Sequence, residues 1–296
     1  MTTPNRTAAL EADATLPLAG AAPIEPSVVI EGGQTSLRRE LRALWEFREL
    51  LYFMVWRDVK TRYKQTVLGI GWAILQPLLT SAIFTVIFAY FARMPSEGVP
   101  YPLFAFTALL AWSYFSQALA RASVGLVTNA NLISKVYFPR LILPLAAAST
   151  PLVDLVLTLV VLAGMLAWYQ VVPPATVFLL PVFVAMAMVS AIGVSLWLSA
   201  LNVKYRDVGH LIPFLIQVWM YASPVVYPVS LVPDRWRSLY GLNPMVTVVE
   251  GFRWSLIGTP APDPRFALAG SAVMLVTLAS GLWYFRSTER TFADVI

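Results

Sequence analysis

The chain has 296 residues, 58% hydrophobic and 12% charged, with 21 Lys and Arg against 16 Asp and Glu. With a mean hydropathy of +0.69, so few charges exclude an ordinary soluble domain, in which roughly a quarter of residues are charged. The absence of cysteine excludes disulfides and thiol catalysis, and the formal charge of +5 is strung along segment ends, which suits lipid head groups and not nucleic acid.

Residues 1–36 are rich in Ala and Pro, with acids at Glu11, Asp13 and Glu25. Their short "LPLAGAAPI" is broken by prolines and lacks a basic flank, so the stretch reads as a disordered cytoplasmic tail and not as a cleaved signal peptide. In 37–56, "LRRELRALWEFRELLYFMVW", Leu37, Leu41, Leu44, Leu51 and Val55 recur at helical spacing. Trp45, Tyr52 and Trp56 lie beside them, and Arg38, Arg39, Arg42, Glu46 and Glu49 largely opposite. This pattern predicts an amphipathic helix lying in the membrane interface; a soluble bundle helix is the competing reading.

Apolar segments follow over 68–92, 101–127, 141–169, 175–200, 210–228 and 266–286, each near or above the roughly 20 residues that a helix needs to cross the hydrocarbon. The expected fold is therefore an all-α integral membrane protein with six transmembrane helices. With the N-terminus inside, 16 of the 21 Lys and Arg fall in cytoplasmic segments, which predicts that both termini are cytoplasmic. Pro77, Pro144, Pro151 and Pro181 lie in or near spans and are expected to kink or end them.

The stretch 229–265 does not fit a plain loop. "NPMVTVVEGFRWSLIG" opens with Asn243 as a helix cap and Pro244 in the first turn, and stops at Gly258 before Pro260. It is short for a span and carries Glu250 and Arg253 at a spacing suited to pairing. A seventh crossing would also put the basic C-terminus outside. We expect a re-entrant helical element before the last span, over about 232–258.

No Gly-Lys pair occurs, so the chain has no P-loop for nucleotide phosphates. His210 stands alone and reads as an interfacial residue, not a metal ligand. Asp154 is the one carboxylate well inside a span; with no second acid to complete a relay, a structural fixture outweighs a functional role. Trp112, Tyr114, Trp219 and Tyr221 are candidates for lining a transport path, whereas Tyr90, Phe91 and Tyr227 suit an interfacial belt. Between the second and third spans, "NLISKVYFPRLILPL" offers Leu132, Ile133, Val136, Tyr137 and Phe138 as an exposed apolar patch flanked by Lys135 and Arg140. Such a patch at a membrane surface is a lipid contact or a socket for a soluble motor.

Four ordered stretches, 57–79, 129–145, 201–228 and 242–258, resemble the membrane subunit of ABC-type polysaccharide exporters, a family that includes O-antigen, capsule and teichoic-acid permeases. The resemblance runs from about residue 40 to the C-terminus. It implies a homodimer in the bacterial inner membrane working with two copies of a soluble ABC ATPase, which carries the ATP and Mg, so that this chain has no cofactor and no catalytic residue. It implies a coupling helix from Asn129 to Phe138, including Asn131, Ser134 and Lys135, with Tyr205, Arg206 and Asp207 as a second contact. It further implies an outer gate containing Asn243, Pro244, Glu250 and Arg253. Arg62, Tyr63 and Lys64 fall where a polyprenyl-diphosphate-linked glycan would bring its head group from the cytoplasm. The alternatives are a permease for a drug, lipid or small amphiphile, a membrane glycosyltransferase or polymerase, and a passive scaffold.

Overall fold

The computed structural model describes residues 37–64 and 70–295, so the tail expected over 1–36 and the first residues of the first span lie outside the described residues. Two helices open the chain, α1 (Leu37–Glu46) and α2 (Arg48–Lys64). The ladder is continuous across their junction, where the Phe47 amide donates to Ala43 at 2.9 Å and the Leu51 amide to Phe47 at 3.1 Å. Trp45, Tyr52, Phe53 and Trp56 are exposed, leaving a broad aromatic face free. Helix therefore continues past the expected end at 56, and brings Arg62 and Tyr63 onto its last turn.

Next, α3 (Ile70–Phe84) contains Pro77 and widens into a π-helical stretch, Thr85–Phe91. The central helix is α4 (Tyr101–Thr128), with Pro102 in its first turn and most of its side chains buried. A single turn, α5 (Ala130–Ile133), leads to α6 (Ile142–Ser149) and α7 (Leu152–Trp168). Those two form one apolar rod broken at Pro151, which has no amide to donate. A 3-10 turn, Ala175–Leu179, then runs into α8 (Leu180–Lys204).

Among the described residues, five helices are long and apolar enough to cross a membrane: Ile74–Phe91, Tyr101–Thr128, Ile142–Trp168, Ala175–Lys204 and Pro264–Glu289. The segment expected to span over 210–228 is instead α9 (Val208–Tyr221), of 14 residues, followed by turns. At 1.5 Å per residue α9 is about 21 Å long, short of a hydrocarbon core of about 30 Å. Pro224 and Pro228 follow closely and prevent its continuation. Beyond it come α10 (Asp234–Tyr240), α11 (Pro244–Ile257) and α12 (Pro264–Val295).

Close contacts fix the helix directions. Trp197 stacks on Tyr284 with centroids 4.4 Å apart, and its indole donates to Ser280 at 3.2 Å. One turn earlier on α8, Gly193 faces Leu278 and Gly281, which also precede Tyr284 on α12, and a Cβ on Gly281 would lie 2.5 Å from the Gly193 carbonyl. So α8 and α12 run parallel, at a separation only small residues allow, and residues 205–263 carry the chain back between opposite ends of the bundle. The same end of α4, α8 and α12 meets α11: Arg253 reaches the Phe104 carbonyl, Gly251 abuts Phe183, and Gly270 abuts Pro244. Every residue of α11 except Glu250 and Trp254 is buried. At the opposite end, Arg57 donates to Asn129 at 3.1 Å and Arg140 donates to the Glu289 carbonyl, which gathers α2, the 129–141 loop and the end of α12.

Candidate functional site

At the latter end, two consecutive side chains of α2 converge on α7. Arg62 forms an ion pair with Asp154, and the Tyr63 hydroxyl donates to the other oxygen of the same carboxylate. A second Arg62 nitrogen donates to Gln117 on α4 at 3.0 Å. Asp154 is only 6% exposed, and a buried carboxylate is tolerable only with such partners. Burial first, and then the hydrogen bond to Asp154, push the Tyr63 phenol up to about 12, so at neutral pH it remains a donor. Lys64, the third residue expected here, is exposed and does not join them.

Above the cluster a cavity of about 380 Å³ opens between α3, α4 and α7. Its wall is mixed: Gln76, Thr80, Ser113, Ser116 and Gln117 supply polar groups, and Trp112 supplies a ring. Hydroxyls, amides and an indole face can hold a hydroxyl-rich ligand. Of the four aromatic lining candidates, Trp112 and Tyr114 reach this cavity. Tyr114 is nonetheless buried, with its hydroxyl donating to the Ala148 carbonyl at 3.4 Å. Trp219 packs edge-on against Phe115 at 5.1 Å and donates to Asn243 at 2.9 Å, whereas Tyr221 is exposed.

The 129–138 segment is one helical turn and a bend, not a ten-residue helix. Asn129 anchors it by donating to Gly125 at 2.9 Å. The apolar patch divides: Ile133 and Phe138 are buried and Leu132 is half-buried, so they fasten the turn to the bundle. Val136 and Tyr137 are 51% and 70% exposed, with Asn131, Ser134 and Lys135 exposed beside them. Tyr205, Arg206 and Asp207 are exposed in the short connection after α8, where Lys204 lies over the Tyr205 ring at 5.3 Å.

At the other end Asn243 caps α11 by accepting from the Met245 amide at 3.0 Å, and Pro244 follows in the first turn. The Asn243 amide also donates to the Ala222 carbonyl and the Ser223 hydroxyl, each at 3.0 Å, so one side chain ties α9 to α11. Gly258, at φ 72°, ends α11 in the left-handed conformation that glycine adopts without strain. The expected Glu250–Arg253 pair does not form. Arg253 turns inward, donating to the carbonyls of Val225 at 2.9 Å and Phe104 at 3.3 Å, with its guanidinium 3.5 Å from the Phe104 ring centroid. One Glu250 oxygen is buried without a hydrogen-bond partner. Burial, opposed by Arg253 and reinforced by Glu97 and Asp263, pushes this carboxyl, which lies outside the five candidate spans, up to about 7.

Sequence reasoning missed Gln117 and the convergence of Arg62 and Tyr63 on Asp154. The signal available was an intramembrane acid together with a basic turn just before a span, two features that only folding joins.

The chain belongs to the ABC-2 type transporter family, whose profile matches residues 49–257. Among its relatives, the O-antigen export system permease protein RfbA of Myxococcus xanthus is 33% identical over 263 residues, covering 87% of this chain and 99% of that protein. The RfbA permease of Klebsiella pneumoniae is 24% identical, covering 84% and 95%. The polysialic acid transport protein KpsM of Escherichia coli is also 24% identical, covering 79% and 91%.

Proposed function

We propose that this chain is the membrane subunit of an ATP-driven exporter that moves a lipid-linked polysaccharide from the cytoplasm across the inner membrane. The observation that carries the reading is the near full-length similarity to export permeases named for O-antigen and polysialic acid. ATP is bound and hydrolysed on a soluble partner present in two copies, and two copies of this chain form the channel. On this reading the chain crosses six times, α9 and the turns after it making the return between α8 and α12, and the parallel course of those two helices supports it. Both termini and the 129–141 loop are then cytoplasmic, and α10 with α11 forms a re-entrant gate at the outer face. The polar wall of the cavity favours a hydroxyl-rich cargo over a purely apolar one. Arg62 and Tyr63 receive the phosphorylated head group, since a guanidinium beside a phenol suits phosphate oxygens.

Val136 and Tyr137 are the surface that the ATPase grips, because apolar side chains on an anchored turn transmit a push. The test is affinity purification of the tagged chain in mild detergent, with and without Val136→Asp and Tyr137→Asp together. A P-loop ATPase is expected near one-to-one with the unmodified chain and absent from the double variant. Failure of any ATPase to accompany the unmodified chain would overturn the reading.

A further inference from the structure

Arg62 and Tyr63 have the donors of an oxyanion site, yet that site is already filled by the protein. Both donate to Asp154, at the first turn of α7, and Arg62 also holds Gln117 on α4. A buried carboxylate cannot be left without a cation, so any ligand that takes Arg62 must leave Asp154 a replacement. One stands nearby. Arg121, one helical turn beyond Gln117 on α4, is within electrostatic reach of Asp154, Arg62, Tyr63 and Asp58, and makes no hydrogen bond among the described residues. The cluster also joins α2 to the bundle, and a short way back along α2 Arg57 holds Asn129, the first residue of the 129–138 turn.

We propose that Asp154 is a resident counter-anion that closes the oxyanion slot of Arg62 and Tyr63 at rest, and that a phosphate-type head group opens it by taking Arg62 while Asp154 passes to Arg121. The exchange conserves charge pairing: the incoming anion replaces the carboxylate at Arg62, and the carboxylate exchanges one guanidinium for another. Repulsion between Arg62 and Arg121 falls as the second anion arrives. Once Arg62 and Tyr63 release Asp154, α2 is no longer held to α7, and the Arg57–Asn129 contact passes its movement to the cytoplasmic turn. The closed slot lowers the apparent affinity by the fraction of molecules in which it is open.

This deepens the exporter reading and rests on it for the phosphorylated cargo, but its test needs neither the ATPase nor transport. The full chain is reconstituted in phosphatidylcholine nanodiscs and titrated with farnesyl diphosphate, with inorganic diphosphate in a parallel arm. Asp154→Asn removes the internal anion and is expected to tighten farnesyl diphosphate binding by about tenfold. Arg62→Gln is expected to abolish it. Arg121→Gln is expected to weaken binding several-fold when Asp154 is present and to have no effect in the Asp154→Asn background, because no carboxylate then needs a new partner. Tyr63→Phe keeps the Arg62–Asp154 ion pair but removes one donor of the slot, and is expected to weaken binding less than Arg62→Gln does.

A preference for farnesyl over inorganic diphosphate identifies a lipid head group as the source of the anion; equal binding identifies the free anion, with the exchange still supported. Because the natural chain has no cysteine, spin labels at Lys60 and Val156, both exposed, report the separation of α2 and α7. Farnesyl diphosphate is expected to shift that distance in the otherwise unmodified chain, and Asp154→Asn to show the shift without ligand. The proposal is overturned if Asp154→Asn binds no tighter, if Arg121→Gln costs the same in both backgrounds, or if neither probe binds any variant. Loss of the ATPase partner in the purification would sink the exporter reading and leave these measurements intact.

Discussion

The two ends of the bundle each hold an arginine and satisfy it differently. Arg253, at the α11 end, is 2% exposed and rests on two backbone carbonyls and the face of Phe104. Its partners belong to the backbone of other elements, and it cannot leave without stranding the Val225 carbonyl. Arg62, at the opposite end, is partly exposed and bound to a carboxylate and an amide side chain. Those partners are side chains that can rotate, and another anion can replace the carboxylate. A charge held by the backbone builds the fold, whereas a charge held by another charge can be exchanged.

The largest expected effect tests the rigid end. Arg253→Leu strands the buried Val225 carbonyl and removes the cation from Phe104, and is expected to cost about 3 kcal/mol or more, read as loss of monodisperse protein and a lower Tm in detergent. A Tm within a degree of the unmodified chain would erase the contrast. Asn243→Ala removes the cap of α11 and the ties to Ala222, Ser223 and Trp219, and is expected to cost about 2 kcal/mol by the same assay.

Glu250 gives a pH-dependent test. Its carboxyl titrates at about 7 in the folded chain against 4.5 for the free group, so the folded state binds the proton more tightly. Stability from this residue is full below about 4.5 and is lost as pH rises through about 7. Glu250→Gln is expected to leave Tm unchanged at low pH and to stabilise the chain at pH 8 by on the order of 1 kcal/mol, after solvent screening of the partly exposed carboxyl. Equal Tm differences at both pH values would argue against a buried, proton-binding Glu250. The smallest stability effect belongs to the exposed surface of the 129–138 turn. Tyr137→Asp is expected to move unfolding by less than about 0.5 kcal/mol while reducing ATPase co-purification sharply. A large loss of stability would instead make Tyr137 part of the packing.

Much of the fold was legible because it rests on local patterns. The long apolar runs became the five long helices, and Asn243, Pro244 and Gly258 bound α11 where their backbone preferences suggested. Runs of hydrophobicity do not register where a helix ends inside an apolar stretch, so α9 stops at Tyr221 although apolar sequence continues. The 129–138 patch was legible as a unit but not residue by residue. Five neighbouring apolar side chains look alike in sequence, and only packing separates Ile133 and Phe138, which anchor, from Val136 and Tyr137, which remain outside.

By itself the sequence determined the solvent, the helical class and the places where charge had to be accommodated, because hydrophobic length and the cost of charge in lipid act on each segment separately. Tertiary structure decided which charges meet. Arg62 finds Asp154 across 92 residues, and Arg253 passes over Glu250, three residues away, for a carbonyl 149 residues distant. Local spacing offers a pair at little cost only in water. In a dry interior a guanidinium goes to whichever accepting oxygens the packed helices bring within its reach, and those oxygens lie together only once α4, α7 and α11 have met.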